Sequence, residues 1–186
     1  MSEPQSGARR YPRTFGGLVG SMIVLVLAVL AYYVVQNVLH DQPDGTPVAA
    51  DYLSTVKEVQ GAGIDVAYPR SLPKGWIATD VNFTPGDRPV WGLPLNTDAG
   101  EFVGIEQEDA PLSDLLDVAL PQGARQGQDV RIESQVATSW SSWSSGNDDH
   151  AFAAKVGDDT LLVYGSAPVG DLRRLIGLLT TEPASS

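Results

Sequence analysis

The sequence predicts an α+β protein, in which an N-terminal transmembrane helix precedes a mostly antiparallel β-sheet domain with two covering helices. The first observation is an apolar run from Phe15 to Leu39 without a charged residue, longer than the roughly 20 residues that span a bilayer core. The second is a series of short alternating segments separated by Gly and Pro turns, which is typical of strands. The third is a change to a helical period in two later segments, 111–119 and 171–179.

Basic residues precede the apolar run. Three arginines lie between residues 9 and 13, and no Lys or Arg follows until Lys57. The positive-inside rule therefore predicts a cytoplasmic tail over residues 1–13, a transmembrane helix over 14–39 and an extracytoplasmic remainder. A cleavable secretory signal is the alternative, but its apolar region usually has only 7–15 residues.

The segment after the predicted span is strongly acidic. It contains 22 acidic and 9 basic residues after position 39, a net charge of −13. This balance argues against nucleic-acid binding, which depends on neutralising phosphates, and against lying flat on anionic lipid. The chain has no Cys, so a core must stabilise this domain without disulfides, and its length is sufficient for one.

A polar linker rich in Pro, Gly and Asp occupies residues 40–47. We assign residues 48–182 to the extracytoplasmic domain and 183–186 to a flexible tail. Residues 48–60 are compatible with one short helix that ends at the glycines following it. Its apolar face would contain Tyr52, Val56 and Val59.

The sequence pattern predicts four strands followed by a helix in the first half of the domain. The predicted strands are 64–68, 77–83, 90–95 and 101–107. Gly92 weakens the third strand and Pro94 interrupts it, which is typical of an edge or irregular strand. The helix that follows would turn Leu112, Leu115, Leu116 and Ala119 to one face.

The second half repeats this order. Its predicted strands are 130–135, 139–144, 151–155 and 160–166, and its helix covers 171–179 with Leu172, Leu175, Ile176 and Leu179 facing inward. A Pro-x-x-Asp-Leu stretch at Pro111 and again at Pro168 favours a duplicated ββββα unit. Low identity leaves two unrelated halves as the alternative. In either case we expect both helices to cover one face of the sheet.

Three stretches resemble a known family. Val66–Trp76 with its Leu-Pro-x-Gly-Trp turn, Trp91–Leu93, and Glu101–Gln107 are similar to actinobacterial single-pass membrane proteins with an extracytoplasmic domain of unknown function. The pattern of that family usually has a Gly-Tyr-Leu-Thr-like third strand, where this chain has Gly92-Leu93-Pro94-Leu95. The resemblance covers most of the chain and implies the topology, the fold and the lineage, but it supplies no active site.

No catalytic motif accompanies these segments. A Ser-His-Asp arrangement would have to use His40, in the linker, or His150, and no Gly-x-Ser-x-Gly elbow is present. Residues 148–150 have the wrong spacing for a calcium loop. Glu106, Glu108 and Asp109 are best interpreted as a solvated strand end, since a glycosidase needs two carboxylates at a defined separation. We therefore expect no enzyme activity, no metal and no cofactor.

Two tryptophans are the candidate ligand-binding residues. Trp140 and Trp143 are three apart, so a regular strand would turn them to opposite faces. Core packing is the usual role of Trp, but an exposed Trp beside serines would suit a sugar ring or a partner protein.

These observations favour a membrane-anchored extracytoplasmic binding or interaction module of the bacterial cell envelope, with an envelope protein or glycan as partner. The first alternative is a structural or assembly subunit of a membrane complex, because Gly16 and Gly20 give a small-residue spacing suited to helix packing. The second alternative is an envelope hydrolase that uses acidic residues.

Overall fold

The computed structural model describes residues 49–184. The predicted cytoplasmic tail, transmembrane helix and linker lie outside these residues, as do the last two residues of the predicted tail. Within 49–184, no helix has the length and apolar character needed to cross a membrane. The described part is an antiparallel sheet with three helices, which confirms the predicted α+β class.

The three helices are α1 (Tyr52–Gly61), α2 (Leu112–Ala119) and α3 (Val169–Ile176). The strands are β1 (Tyr68–Pro69), β2 (Ile77–Ala78), β3 (Asn82–Thr84), β4 (Val90–Asn96), β5 (Phe102–Glu108), β6 (Arg125–Gln126), β7 (Val130–Arg131), β8 (Ser139–Ser144), β9 (His150–Val156), β10 (Asp159–Gly165) and β11 (Leu179–Thr180). The main sheet has the order β2-β4-β5-β10-β9-β8-β6, with β3 beside β4 and β7 beside β8, while β1 pairs with β11. Every pairing is antiparallel.

Helix α1 begins at Tyr52, four residues after the predicted start, and Asp51 caps it. The Asp51 carboxylate accepts a hydrogen bond from the backbone N–H of Ser54 at 3.3 Å, which satisfies one of the free donors of the first turn. Its buried side chains are the three predicted ones, Tyr52, Val56 and Val59. Gly63 follows in the left-handed conformation (φ +84°), where a side chain would be strained.

The main sheet has two faces that bury different residues. One face, the core face, turns alternate residues such as Trp91, Leu93 and Ile105 into the large hydrophobic core, and α1 and α3 complete that core. On the opposite face, which we call the second face, α2 packs against Leu162 and its neighbours on β9.

The prediction that two helices cover one face is therefore wrong. Three helices are present within the described residues, and they cover both faces. The physical reason is the continuous apolar run of β10 from Leu161 to Val163, which is buried on both sides of the sheet. Such a run contains no information about the face on which each helix packs.

The positions of α2 and α3 also bear on the duplication hypothesis. Each helix begins directly after a proline, Pro111 and Pro168, that follows one of the two central strands. A twofold axis relating the antiparallel strands β5 and β10 would run perpendicular to the sheet and would leave its faces unchanged. The two helices lie on opposite faces, so the architecture lacks the symmetry of a simple duplication about these strands.

Strand β4 is neither an edge strand nor irregular, which corrects the prediction based on Pro94. It pairs with β5 over all seven residues. On its other side the Pro94 carbonyl accepts a hydrogen bond from the Thr79 N–H at 3.0 Å. Pro94 has no N–H to donate, but its carbonyl keeps this hydrogen bond to the segment after β2, and its pairing with β5 is retained.

Candidate functional site: an open cradle on the second face

Helix α2 covers only part of the second face. It packs over β9 and β10, whereas no helix of residues 49–184 covers the surface over β3, β4 and β5. This open surface forms a shallow cavity of about 140 Å³, which we call the sheet cradle. Its lining includes Asn82, Thr84, Gly92, Gly104, Glu106 and Tyr164.

Backbone forms the floor of the sheet cradle. Gly104 lies opposite Tyr164 in the β5–β10 pair, and a Cβ at Gly104 would come within 2.7 Å of the Tyr164 ring. Gly92 lies opposite Asn82, whose Cβ would be 3.3 Å from a Cβ at that position. Because both positions lack a side chain, the Tyr164 ring and the Asn82 side chain can lie close to the backbone of the two strands.

Glu106 is the charged side chain of the sheet cradle. Strand alternation turns it to the second face, between Gly92 of β4 and Leu162 of β10, and leaves it half-buried. Burial raises the pKa of its carboxyl group, and the negative charge of Glu108 raises it further. Among residues 49–184, no group forms a hydrogen bond or an ion pair with the carboxyl oxygens of Glu106.

Tyr164 forms the wall of the sheet cradle together with Phe102. The two rings meet edge to face, with their centroids 5.7 Å apart and an interplanar angle of 63°. Burial raises the pKa of the half-buried Tyr164 hydroxyl, and the negative charge of Glu106 raises it further. The site therefore presents a carboxyl and a phenol group beside an aromatic wall.

A polar clamp on the core face supports these strands from behind. Gln107 is 3% exposed, and its Oε1 accepts from the Ala67 N–H at 2.7 Å. Its Nε2 donates to the Asp65 carbonyl at 2.9 Å and to the Asp159 carboxylate at 2.8 Å. Trp91 Nε1 donates to the Ala67 carbonyl at 3.0 Å. In each of two pairs of consecutive residues, one residue is therefore buried on the core face and the next lines the sheet cradle. Trp91 and Gln107 are the buried residues, and Gly92 and Glu106 are the lining residues.

The structure places the two predicted binding tryptophans on opposite faces, as their spacing predicts. Trp140 is 0% exposed in the main core, and its Nε1 donates to the Ala137 carbonyl at 3.4 Å. Such a side chain contacts a ligand only if the sheet opens, so Trp140 takes no part in the proposals below. Trp143 is half-buried beside α2, outside the sheet cradle, and its Nε1 donates to the Ser141 hydroxyl at 3.1 Å. Ligand binding by Trp143 stays a prediction.

The other candidate residues are separated. Asp109 forms an ion pair with Arg88 at 3.2 Å, and His150 lies in β9 between Ser144 and Gly165. Within residues 49–184, no three His, Cys, Asp or Glu side chains are grouped so that they could hold a metal ion.

A second cavity, of about 340 Å³, lies between the start of α2 and strands β8 to β10. Its one cationic side chain, Lys155, already donates to the Asp158 carbonyl at 3.0 Å. The sheet cradle is the stronger candidate, because it combines a cavity with a carboxyl group that lacks a partner and has a perturbed pKa.

Sequence reasoning missed the sheet cradle because its members come from distant parts of the chain. The available signal was a pair of glycines, Gly92 and Gly104, inside predicted strands. Glycine in a strand interior often marks a close approach of another group or of a ligand.

Comparison with known proteins gives limited information. No curated protein matches the chain. Among solved structures, the MucA/MucB complex of Pseudomonas aeruginosa matches with a TM-score of 0.34 and 16% identity, covering 64% of this chain and 36% of that chain. A crystal structure of MucB in complex with MucA(peri) matches with a TM-score of 0.34 and 18% identity, covering 64% and 38%. The matched region thus spans little more than a third of those chains, and similarity at this level carries no argument about function.

The match to a protein family is much more extensive. It runs from the basic residues before the apolar run, through Trp91 and Glu106, to the first residue of β11. The family is described as "Protein of unknown function (DUF4245)", its profile matches residues 10–179, and this chain therefore belongs to it.

Proposed function

We propose that this chain is a membrane-anchored, extracytoplasmic binding module of the cell envelope, and that the sheet cradle is its ligand-binding surface. The apolar run from Phe15 to Leu39 and the arginines before it support the anchor and its orientation. The observation that carries the binding role is the half-buried Glu106 carboxyl, which lines an open cavity without a partner in the described residues.

The physical argument concerns the cost of burying Glu106. Removing a carboxylate from water disfavours its charged form unless a partner compensates. A carboxyl group kept in a cavity at that cost is a candidate for function, because a ligand can supply the missing partner. Elsewhere on the second face, apolar residues line the sheet, and there α2 covers it.

A hydrolase is the second candidate, and one observation favours it. Glu106 and Glu108 lie two residues apart on the same side of β5, about 7 Å between Cα atoms at the usual rise per strand residue. Glycosidases use a pair of carboxyl groups and raise the pKa of the one that acts as the acid, and the pKa of Glu106 is raised. Turnover of an envelope glycan by the wild-type chain, lost in both Glu106→Gln and Glu108→Gln, would favour this candidate over binding.

Site-specific photocrosslinking tests the binding role. A photoreactive side chain is placed at Thr84, which is exposed at the rim of the sheet cradle, in the full-length chain in native membranes. The matched control carries the same group at Glu58. This residue is exposed on α1, the helix that packs on the opposite, core face of the sheet. We expect one dominant adduct from Thr84 that is absent from Glu58. Equal adducts at both positions, or none at Thr84, would contradict the proposed binding surface.

Reporter fusions test the anchor and its orientation. A reporter that is active only outside the cytoplasm, joined after Leu39, is expected to be active, because the arginines retain the N-terminal tail in the cytoplasm. A matched fusion after Arg13 is the control and is expected to be inactive. An active fusion after Arg13 together with an inactive fusion after Leu39 would show that the topology is wrong.

The assembly-subunit alternative is tested through the crosslinked partner. If that partner stays bound to the chain when Thr84 is blocked, the assembly-subunit alternative is favoured.

A further inference from the structure

We infer that the sheet cradle accepts the guanidinium group of an arginine side chain from a partner protein. This inference rests on the proposed function, because it names the ligand chemistry of the same surface.

Charge is the first support. Glu106 is the charged residue that lines the cavity, and no Lys or Arg of the described residues lines it. The surrounding domain carries a net charge of −13 after residue 39, so a cationic group is attracted both to the site and to the surface around it.

The size of the cavity is the second support. Pockets for free small molecules usually measure 300–1,000 Å³, whereas the sheet cradle measures about 140 Å³ and is open to solvent. Such a cavity encloses the end of one side chain. The remaining contact area must come from the molecule that carries this side chain, which favours a protein partner over a free ligand.

The arrangement of the groups is the third support. A guanidinium group is planar, donates two parallel hydrogen bonds to a carboxylate and stacks on aromatic rings. Gly92 and Gly104 both line the cavity, and neither contributes a side chain that would occupy it. Phe102 and Tyr164 supply the aromatic wall, and Glu106 supplies the acceptor. Cations and aromatic faces attract each other when they lie within about 6 Å.

Peptide binding to the full-length chain in neutral detergent tests this inference. The probe is a fluorescent, acetylated and amidated Gly-Gly-Arg-Gly-Gly peptide, and its matched control replaces arginine with citrulline, which keeps the shape without the charge. We expect the arginine peptide to bind at least about tenfold more tightly than the citrulline peptide. We also expect Glu106→Gln to remove this preference, whereas the control Glu58→Gln leaves it intact.

Two further variants separate charge from shape. Thr84→Trp fills the rim of the cavity and should abolish binding of the arginine peptide, whereas Thr84→Val preserves the volume and should not. Equal binding of the two peptides, no binding of the arginine peptide, or an unchanged preference in Glu106→Gln would overturn the inference. Thermal unfolding of each variant confirms that the protein is folded.

The photocrosslinked adduct distinguishes this failure from failure of the proposed function. An adduct at Thr84 that excess arginine peptide displaces supports both proposals. An adduct that forms in Glu106→Gln as in the wild-type chain, and that the arginine peptide does not displace, would leave the binding surface standing and overturn the arginine inference.

Discussion

The two halves of the second face are built from the same antiparallel sheet but are covered differently. Over β9 and β10, the side chains of Ala151, Ala153 and Leu162 are buried under Leu115 and Leu116 of α2. Over β4 and β5, the corresponding surface consists of Gly92, Pro94, Gly104 and Glu106, and no described helix covers it.

This difference shows that a few residues decide whether a sheet surface acquires a helix. Small and medium apolar side chains provide area whose burial stabilises a helix, at about 25 cal/mol per Å². Two glycines provide little such area, and a carboxylate opposes burial. The covered half therefore contributes to stability, whereas the open half is available for binding.

The largest effect on the free energy of unfolding is expected from a substitution in the covered half. Leu162→Ala removes a side chain that is 0% exposed and that lies against α2. We expect it to lower the free energy of unfolding by about 2–5 kcal/mol, because buried leucine truncations lose transfer free energy and leave a cavity. Urea denaturation of the full-length chain in detergent measures this loss.

Thr84→Ala is the matched truncation in the open half. Thr84 is exposed, so its truncation should change the free energy of unfolding by no more than about 0.5 kcal/mol. A similar loss in both variants would show that the open half is as important for stability as the covered half.

The next effect tests why the floor of the open half is glycine. Gly104→Ala places a Cβ 2.7 Å from the Tyr164 ring, so the ring must move. We expect a loss of about 1–3 kcal/mol in the free energy of unfolding, as for overpacked positions. The sign is informative, since alanine is otherwise favoured over glycine inside a strand.

A double-mutant cycle with Tyr164→Ala provides the control for this prediction. Without the ring, Gly104→Ala should cost much less, and the coupling free energy between the two positions should be at least about 0.5 kcal/mol. Additive effects would mean that the ring is not the reason for glycine at this position.

The sequence was sufficient for most of the elements but not for their arrangement. It missed β6 and placed Leu179 in the last helix, whereas that helix ends at Ile176 and Leu179 lies in β11. Apolar alternation predicted the opposite faces of Trp140 and Trp143, and helical periodicity predicted the buried residues of α1. The face covered by α2 was not predictable, because β10 is apolar on both sides from Leu161 to Val163. Local patterns report which residues are buried, whereas the partner that buries them depends on the tertiary fold.

The candidate site was harder to predict than the fold. Gly104 and Tyr164 are 60 residues apart and become neighbours only through the register of β5 and β10. Glu106 follows the same logic. Its sequence context indicates a solvated strand end, but the neighbouring strands on both sides leave it half-buried. Large aromatic residues attracted attention in the sequence, whereas the cavity depends on residues without side chains.

The smallest expected effect concerns the pH dependence of the open half. The pKa of Glu106 is raised above its ordinary value of 4.5, first by burial and then by the charge of Glu108. The folded state therefore binds more protons than the unfolded state over the pH range between the unfolded pKa and the raised folded pKa. The contribution of Glu106 to the free energy of unfolding must therefore fall as pH rises through this range, and its penalty is fully present above it.

Glu106→Gln removes this titration while preserving the shape of the side chain. We expect the stability of the variant relative to the wild-type chain to increase from acid pH to a plateau above the folded pKa of Glu106. Urea denaturation at a series of pH values measures the difference, which should be small because Glu106 is only half-buried and solvent screens its charge. A difference that decreases with rising pH would mean that the carboxylate has a stabilising partner in the free protein. The Glu106 carboxylate would then already have a partner within the protein, and the argument that a ligand supplies the missing partner would fail.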